Sequence, residues 1–412
     1  MLKVASDRSQ KPTSEREVMV ARQPIYNHRM GVYGYELLFR AASNNAGDVA
    51  PAKATAQVLG TTLLNFGLEE LVLHRRAVIN VTRAFLDVMS DIQLPTEQLI
   101  LDIPDDISVD DGLVEKLKEL GERGYGLCAG GLANLRALQQ VLPYIDMFRV
   151  DVRQINDKQL DLLIGFLRQH ENLSLRAIKI ETMEEYRFYR ERGFDYLQGF
   201  FMSRPREYVS SDLPANKLAI LQLLTVIHNP DTSTNELEQH IIRDVTVSYK
   251  LLKLVNAPFF GVARKVDSIK HAIVLLGRDE IRKLVSLLAL GGLNDVPMAV
   301  MEIAMLRAKT CELLAQEARL PQDSYFTVGM LSVLDVLLQQ SIGNILIKLP
   351  LSDSVKNAIL KYEGSMGRAL SCAIALDKGD WRDTEFEGLG SKAMHDAYRG
   401  AIQWTYQLIQ TL

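Results

Sequence analysis

The stretch LILDIPDDISVDDGLVEKLKELGERGYGLC, residues 99–128, decides the fold class. An apolar run at Leu99–Ile103 is followed by helical periodicity over Asp111–Glu122 and by a second apolar run at Gly124–Leu127. Strands that alternate with helices of this length predict βα units around a parallel sheet. The alternation extends from Val18 to Pro205, with further candidate strands at Tyr33–Phe39, Ala77–Val81, Met147–Val150 and Ser174–Ile180, and candidate helices at Pro51–Phe66, Leu132–Val141, Lys158–His170 and Met183–Arg192.

The number and length of these units favour a (β/α)₈ barrel over an open sheet. Barrels of this kind place their chemistry at the carboxyl ends of the strands. After a polar, turn-rich segment, REYVSSDLP at 206–214, the strand pattern stops and helical spacing of Leu and Ile takes over. The sequence therefore predicts an α/β barrel followed by an all-helical domain, divided into a disordered leader at 1–17, a barrel at 18–205, a linker at 206–214 and a helical domain at 215–412.

The predicted helices of the second domain are separated by capping and helix-breaking residues. The clearest of them cover Ala299–Glu317, Ser324–Leu338, Asp353–Tyr362 and Ser391–Gln410.

Composition limits the classes of function. The 412 residues are 47% hydrophobic and carry a net charge of −4, so no global positive field attracts nucleic acid or an anionic membrane. The polar start of the chain and the lack of 18 consecutive apolar residues argue against a signal peptide and a membrane span. Three distant cysteines, Cys128, Cys311 and Cys372, suit a reducing cytoplasm.

Three polar side chains lie at or near predicted strand ends: Glu36, Asn80 and Asp102. Hard oxygen ligands that converge at a barrel opening can hold Mg²⁺, and phosphodiester cleavage commonly uses two such ions. Spacing alone favours the alternative interpretation, in which the three are solvated loop residues.

Several short motifs follow one another in the first domain. They are Gln23-Pro24-Ile25, Glu36-Leu37-Leu38-Phe39-Arg40, Ile79-Asn80-Val81, Leu101-Asp102-Ile103 and the closing Asp195–Phe201 with Ser203-Arg204-Pro205. By these motifs and their order, the region from Val18 to Pro205 resembles the EAL domain, a family of (β/α)₈-like phosphodiesterases that hydrolyse cyclic di-GMP.

The resemblance implies roles for individual residues. Glu36 and Asn80 match metal ligands, and Asp102 stands where the family usually has Glu. Arg40 matches an arginine that grips a ligand phosphate, and Glu181 matches a glutamate that steadies a site loop. The full set implied as retained or vestigial ligand-binding residues is Gln23, Glu36, Leu38, Arg40, Asn80, Asp102, Asp151, Glu181, Gln198 and Pro205.

Departures from the family pattern affect the catalytic positions. The paired aspartates of the family align with Cys128 and Ala129, the expected lysine is Arg149, and one expected glutamate is Ile178. Two-metal hydrolysis needs several negative ligands. We therefore expect no catalytic residues and no enzyme activity, and no metal or other cofactor, with weak Mg²⁺ or Ca²⁺ binding at Glu36, Asn80 and Asp102 left open.

Three segments of the second domain occur in a recognisable order: Asp244–Ala257, Phe259–Gly261 and Ser268–Gly277. By these segments the region from about Leu213 to Leu349 resembles the HDOD domain, a helical relative of the HD metallohydrolases that lacks their metal site. No histidine occurs in Gly329–Asp335, where the HD pair would fall. We interpret the His395-Asp396 pair, which lies outside this region, as a surface pair.

An EAL-like barrel joined to an HDOD-like domain resembles a group of two-domain bacterial regulators, the YuxH-like group. The leading hypothesis is an inactive signalling protein that acts by protein contacts in cyclic di-GMP-related control of motility or biofilm formation. The alternatives are a receptor that binds cyclic di-GMP without cleaving it, and a weak one-metal phosphodiesterase. The expected partners are signalling proteins contacted by the HDOD domain, with cyclic di-GMP and a homodimer left open, and no membrane or nucleic acid.

Overall fold

Eight strands close into a barrel in which neighbours in sequence are neighbours in the sheet and the first strand also pairs with the eighth. The first strand is antiparallel to the second and to the eighth, and the other pairs are parallel. The computed structural model describes residues 18–41, 68–89, 94–131, 135–201, 215–229, 231–262, 264–292, 297–338, 340–379 and 385–411. The strands are β1 Val18–Asn27, β2 Val32–Ala41, β3 Arg76–Asn80, β4 Leu99–Asp102, β5 Gly126–Gly130, β6 Met147–Asp151, β7 Ser174–Ile180 and β8 Tyr196–Gly199.

The predicted fold class, a barrel followed by a helical domain, is confirmed. The predicted leader, the linker at 206–214, the helix at Pro51–Phe66 and Pro205 lie outside the described residues. β1 has no counterpart among the predicted strands because Arg22, Gln23 and Pro24 interrupt its apolar alternation. The structure also places β5 at Gly126–Gly130, so it begins two residues and ends three residues later than predicted.

Helices that follow the strands cover the barrel. α3 illustrates why they form: the Asp110 side chain accepts a hydrogen bond from the Leu113 backbone at its start, and Leu113, Leu117 and Leu120 are buried along one face. The described helices of this region are α1 Leu68–Leu71, α2 Arg83–Val88, α3 Asp111–Glu122, α4 Leu135–Val141, α5 Asp157–Leu167 and α6 Met183–Glu191.

The helical domain is built around the helix Met298–Glu317, whose side chains are buried on nearly every side. The predicted single helix at Ser324–Leu338 is wrong, because the segment divides into two helices, Asp323–Leu331 and Leu334–Leu338, where the Ser332 hydroxyl donates to the Gly329 carbonyl. The helices are α7 Ala215–His228, α8 Thr234–Arg243, α9 Val245–Val255, α10 Ile269–Leu276, α11 Arg278–Leu290, α12 Met298–Glu317, α13 Asp323–Leu331, α14 Leu334–Leu338, α15 Ile342–Ile347, α16 Asp353–Lys361, α17 Gly364–Lys378 and α18 Ser391–Thr411.

The barrel and the helical domain share one hydrophobic core. A buried polar contact also joins them: Arg75 donates to Glu302 at 2.7 and 2.9 Å, and the Tyr35 hydroxyl donates to Glu302 at 2.6 Å. The interpretation of His395 as a surface residue is wrong. Its ring is buried, and its Nε2 accepts a hydrogen bond from the Val20 backbone N–H at 2.7 Å, because α18 packs against β1.

Among the helices that the structure describes, none has the length and apolar character needed to cross a membrane.

Candidate functional site at the barrel mouth

Polar side chains from seven of the eight strands meet in a connected cluster inside the barrel. Strand register explains part of this arrangement, because Gln23 lies opposite Glu36 and Asn80 lies opposite Asp102. Hydrogen bonds and ion pairs link each member to at least one other. We call this set the mouth cluster: Gln23, Glu36, Asn80, Asp102, Arg149, Arg176 and Gln198.

Glu36 is the most connected carboxylate of the mouth cluster. Its Oε1 accepts from Asn80 Nδ2 at 2.7 Å. Its Oε2 accepts from Arg176 Nη2 at 2.6 Å and from Gln198 Nε2 at 2.7 Å. Gln198 Nε2 also donates to Gln23 Oε1 at 2.8 Å. Both carboxylate oxygens of Glu36 are therefore engaged by N–H donors.

Asp102, which is 1% exposed, lies between two arginines. Arg149 Nε donates to Asp102 Oδ1 at 3.1 Å, and Arg176 Nη1 donates to Oδ2 at 3.3 Å. Arg149 also reaches outward, where its Nη2 donates to Asp105 Oδ1 at 2.6 Å. Arginine stays protonated in proteins, so two positive charges compensate the carboxylates of the mouth cluster.

The two carboxyl groups of the mouth cluster respond differently to burial, which disfavours the charged form. For Glu36 the Arg176 charge and the hydrogen bonds from Gln198 and Asn80 outweigh burial, and the pKa is lowered from its usual value. For Asp102 burial prevails over the attraction of Arg176 and Arg149, and the pKa is raised. Glu36 is consequently the more firmly ionised of the two.

The departures from the family pattern fall beside the mouth cluster. Cys128 on β5 is fully buried and packs with Ile25, Val78 and other apolar side chains inside the barrel. Burial, reinforced by the nearby Asp102 charge, raises the pKa of its thiol well above the usual value. The side chain is thus a neutral thiol and supplies no negative charge. Ala129 is buried as well, and Ile178 lies opposite Asp151 in the β6–β7 register.

Two of the predicted site residues lie in a separate surface network. Asp151 accepts from Lys179 Nζ at 2.6 Å and from Gln154 Nε2 at 2.9 Å. Glu181 forms an ion pair with Arg153 at 3.6 Å. Asp151 and Glu181 thus contact Lys179, Gln154 and Arg153, and the mouth cluster brings together only part of the predicted set.

Two further predicted site residues, Leu38 and Arg40, lie on β2 beyond Glu36. Leu38 lies two residues beyond Glu36 and packs against Gly379 of the helical domain. A Cβ added to Gly379 would lie only 2.6 Å from Leu38 Cδ1. Arg40 is on β2, opposite Met19, and its side chain is outside what the structure describes.

Sequence reasoning missed Arg176, the central cation of the mouth cluster. Its side chain is 0% exposed and contacts Glu36, Asp102 and Gln198. A signal was present, because an arginine interrupts the otherwise apolar start of the segment SLRAIKI. Asp105, the outer partner of Arg149, was missed too, since it follows β4 in an irregular segment.

As arranged, these residues do not fit a two-metal centre. The oxygens of Glu36 and Asp102 already accept hydrogen bonds from arginine and amide groups. Within the described residues there is no group of three or more His, Cys, Asp or Glu side chains that could hold a metal ion. The arrangement instead offers two guanidinium groups and several amides, which are suited to binding an anion.

A barrel with this mouth cluster, joined to a helical domain, belongs to the family of two-domain proteins in which an EAL domain is followed by an HDOD domain. A family profile described as HDOD domain matches residues 213–360. Among the relatives, the uncharacterized protein YuxH of Bacillus subtilis is 29% identical over 405 residues, 95% of this chain and 99% of its own. The cyclic di-GMP phosphodiesterase CdgJ of Vibrio cholerae is 31% identical over 372 residues, 89% of this chain and 86% of its own.

Solved structures of EAL proteins also resemble the chain. The EAL enzyme Bd1971, in a form with bound cAMP and cyclic di-GMP, matches with a TM-score of 0.39 and 18% identity, over 46% of this chain and 62% of that one.

The expectation that the chain is not an enzyme is wrong by this comparison. CdgJ, which is 31% identical over most of this chain, is named a phosphodiesterase and points toward an enzyme. The expectation rested on the carboxylates lost at Cys128, Ala129 and Ile178 and on Arg149 in place of a lysine. It did not consider Arg176, which adds a second positive charge beside Glu36 and Asp102.

Proposed function

We propose that this chain is a cyclic di-GMP signalling protein that binds the dinucleotide at the mouth cluster and cleaves it slowly. The observation that carries the proposal is the assembly of Gln23, Glu36, Asn80 and Gln198 into one hydrogen-bonded group beside two arginines. Membership of the EAL–HDOD family and the similarity to CdgJ, which is named a cyclic di-GMP phosphodiesterase, support the choice of ligand.

The residues of the mouth cluster suit the chemistry of a cyclic dinucleotide. Each of its two phosphodiester groups carries a negative charge, and an arginine fork can donate two hydrogen bonds to one phosphate. Arg149 is 15% exposed and reaches outward from the mouth cluster to Asp105. Asn80 is exposed and can donate to or accept from the ligand. We therefore assign phosphate contact to Arg149 and polar contact to Asn80.

Slow cleavage follows from the same contacts. A positive charge held near a transferring phosphoryl group stabilises its transition state, and arginine can supply that charge. A general base must also accept a proton from the attacking water. Glu36 is a poor proton acceptor because Arg176 and the amide donors lower its pKa, and both oxygens of Asp102 already accept hydrogen bonds from Arg149 and Arg176. We propose that this limits the rate of turnover and leaves binding as the main event.

The helical domain is proposed to carry contacts with signalling proteins or with a second copy of the chain. Val245 and Tyr249 on α9 and Val274 on α10 are 77%, 68% and 75% exposed, which is unusual for large apolar side chains. We further propose a cytoplasmic location, supported by three free, buried cysteines, and an output in motility or biofilm formation.

The test is equilibrium binding of cyclic di-GMP by calorimetry, with chromatography of the same samples to detect the cleaved product. We expect saturable binding, slow product formation and at least a tenfold loss of affinity in Arg149→Ala, which corresponds to about 1.4 kcal/mol. Arg168→Ala is the matched control, because Arg168 also forms an ion pair with an aspartate, Asp195, but outside the mouth cluster. Absence of both binding and product in the folded wild-type chain would overturn the proposal.

A further inference from the structure

Arg176 lies in the position that a cation would take between the two carboxylates of the barrel. Its side chain is completely buried, and its Nη2 donates to Glu36 on β2 at 2.6 Å. Its Nη1 donates to Asp102 on β4 at 3.3 Å, and its Nε donates to Gln198 on β8 at 2.9 Å. One guanidinium group therefore joins three different strands to β7.

We propose that Arg176 is a resident cation that replaces a divalent metal ion between Glu36 and Asp102 and excludes such an ion from this pair. The inference concerns the site of the proposed function and rests on that proposal for the role of the site. Its test, however, measures metal binding and requires no dinucleotide.

Geometry is the first argument for exclusion. A Mg²⁺ or Ca²⁺ ion contacts its oxygen ligands at about 2.0–2.6 Å. An ion held by both Glu36 and Asp102 would need the space that the guanidinium nitrogens occupy at hydrogen-bond distance from those same oxygens. The two cations cannot be accommodated together, so a metal ion would have to displace a buried side chain.

The other oxygens of the pair offer no alternative position. Asp102 Oδ1 accepts from Arg149, and Glu36 Oε1 accepts from Asn80 Nδ2. With its amide nitrogen directed at Glu36, Asn80 has a donor where a metal ligand would need an oxygen. A divalent ion would therefore have to break contacts with Arg149 and Asn80 as well as with Arg176.

Energetics favour the tethered cation. The guanidinium is covalently held at the site, so its binding to the carboxylates is intramolecular. Arginine is also more weakly hydrated than an ammonium group, whereas Mg²⁺ gives up its water reluctantly. Displacing Arg176 would further leave its charge without its buried carboxylate partners.

The test is a calorimetric titration of the full-length chain with Mn²⁺ and with Ca²⁺, in the absence of nucleotide. We expect no saturable site in the wild-type chain that depends on Glu36. We expect Arg176→Met to gain one site with at least tenfold tighter Mn²⁺ binding, and the added change Glu36→Gln to remove that site. Arg168→Met, a change of the same kind outside the mouth cluster, should gain nothing.

Two results would overturn the proposal. One is stoichiometric Mn²⁺ binding by the wild-type chain that Glu36→Gln abolishes. The other is a folded Arg176→Met variant, verified by circular dichroism, that gains no Mn²⁺ site. If Arg176→Met does not fold, comparison of the Mn²⁺ titrations of the wild-type chain and of Glu36→Gln still tests the proposal. These results are independent of whether cyclic di-GMP binds or is cleaved, so failure here is distinguishable from failure of the proposed function.

Discussion

Four charged side chains set the electrostatics inside the barrel: Glu36, Asp102, Arg149 and Arg176. Two negative and two positive charges balance, and Cys128 beside them stays a neutral thiol because burial raises its pKa. The sequence could identify Glu36 and Asp102 because each lies in a motif. It could not show which face of β7 carries Arg176, since the pairing of strands decides that, and so the compensating charge was missed.

A titratable side chain in the helical domain gives a prediction at the same scale. His228 at the end of α7 is close to the Ser286 hydroxyl, 3.1 Å from its Nε2, and burial together with the Arg282 charge lowers its pKa from 6.5 to about 4. Between those pH values the unfolded chain binds a proton that the folded chain does not. The contribution of His228 to the free energy of unfolding is therefore fully present above pH 6.5. It is lost as the pH falls toward 4, and the total loss is about 3 kcal/mol at most.

Chemical denaturation at a series of pH values checks this prediction. His228→Gln keeps a polar group near Ser286 and removes the titration, so its unfolding free energy should fall less steeply than that of the wild-type chain between pH 6.5 and 4. Parallel pH profiles for the two chains would show that His228 does not carry the effect.

At the scale of elements, the contact between α12 and α13 sets the centre of the helical domain. Sequence periodicity predicted α12 to within one residue at its start, because its apolar residues are continuous. It did not predict that α13 ends at Leu331, since the division depends on local hydrogen bonds of Ser332. It also gave no indication of how closely the two helices approach.

A substitution of Gly329 tests how closely α12 and α13 approach each other. A Cβ at this position would lie 2.5 Å from the Arg307 carbonyl oxygen of α12, so Gly329→Ala must push the two helices apart. We expect a loss of about 1–3 kcal/mol in the free energy of unfolding. Gly165 on α5 is the matched control, because a Cβ there meets nothing within 4 Å, and Gly165→Ala should stabilise the chain by about 0.5–1 kcal/mol. The free energies of unfolding of both variants are measured by denaturant unfolding. A gain in stability for Gly329→Ala as well as for Gly165→Ala would contradict this packing.

On the scale of the whole molecule, β1 and β2 of the barrel contact the helical domain. Tyr35 contacts Glu302 of α12, and the next residue, Glu36, belongs to the mouth cluster. The order of the two domains could be predicted from the change in pattern near residue 206. Their contact could not be predicted, because nothing in the sequence distinguishes Tyr35 and Arg75 from other barrel residues. Only the structure shows that both contact Glu302 of the helical domain.

Glu302→Gln tests that contact. Glu302 is 4% exposed and accepts hydrogen bonds from both terminal nitrogens of Arg75. Loss of the Glu302 charge therefore leaves the partly buried Arg75 guanidinium without its charged partner. We expect the unfolding free energy to fall by about 2–3 kcal/mol. Glu317→Gln, an exposed change on the same helix, should have an effect below about 0.5 kcal/mol. Equal effects of the two substitutions in calorimetric melting would contradict a buried contact between the domains.

The most direct measurement of the central claim is a crystal structure of the full-length chain with cyclic di-GMP and Mn²⁺. We predict that the dinucleotide lies at the mouth cluster with a phosphate beside Arg149, and that Arg176 still lies between Glu36 and Asp102 with no metal ion in its place. A dinucleotide bound elsewhere, or a Mn²⁺ ion between those two carboxylates with Arg176 displaced, would contradict it.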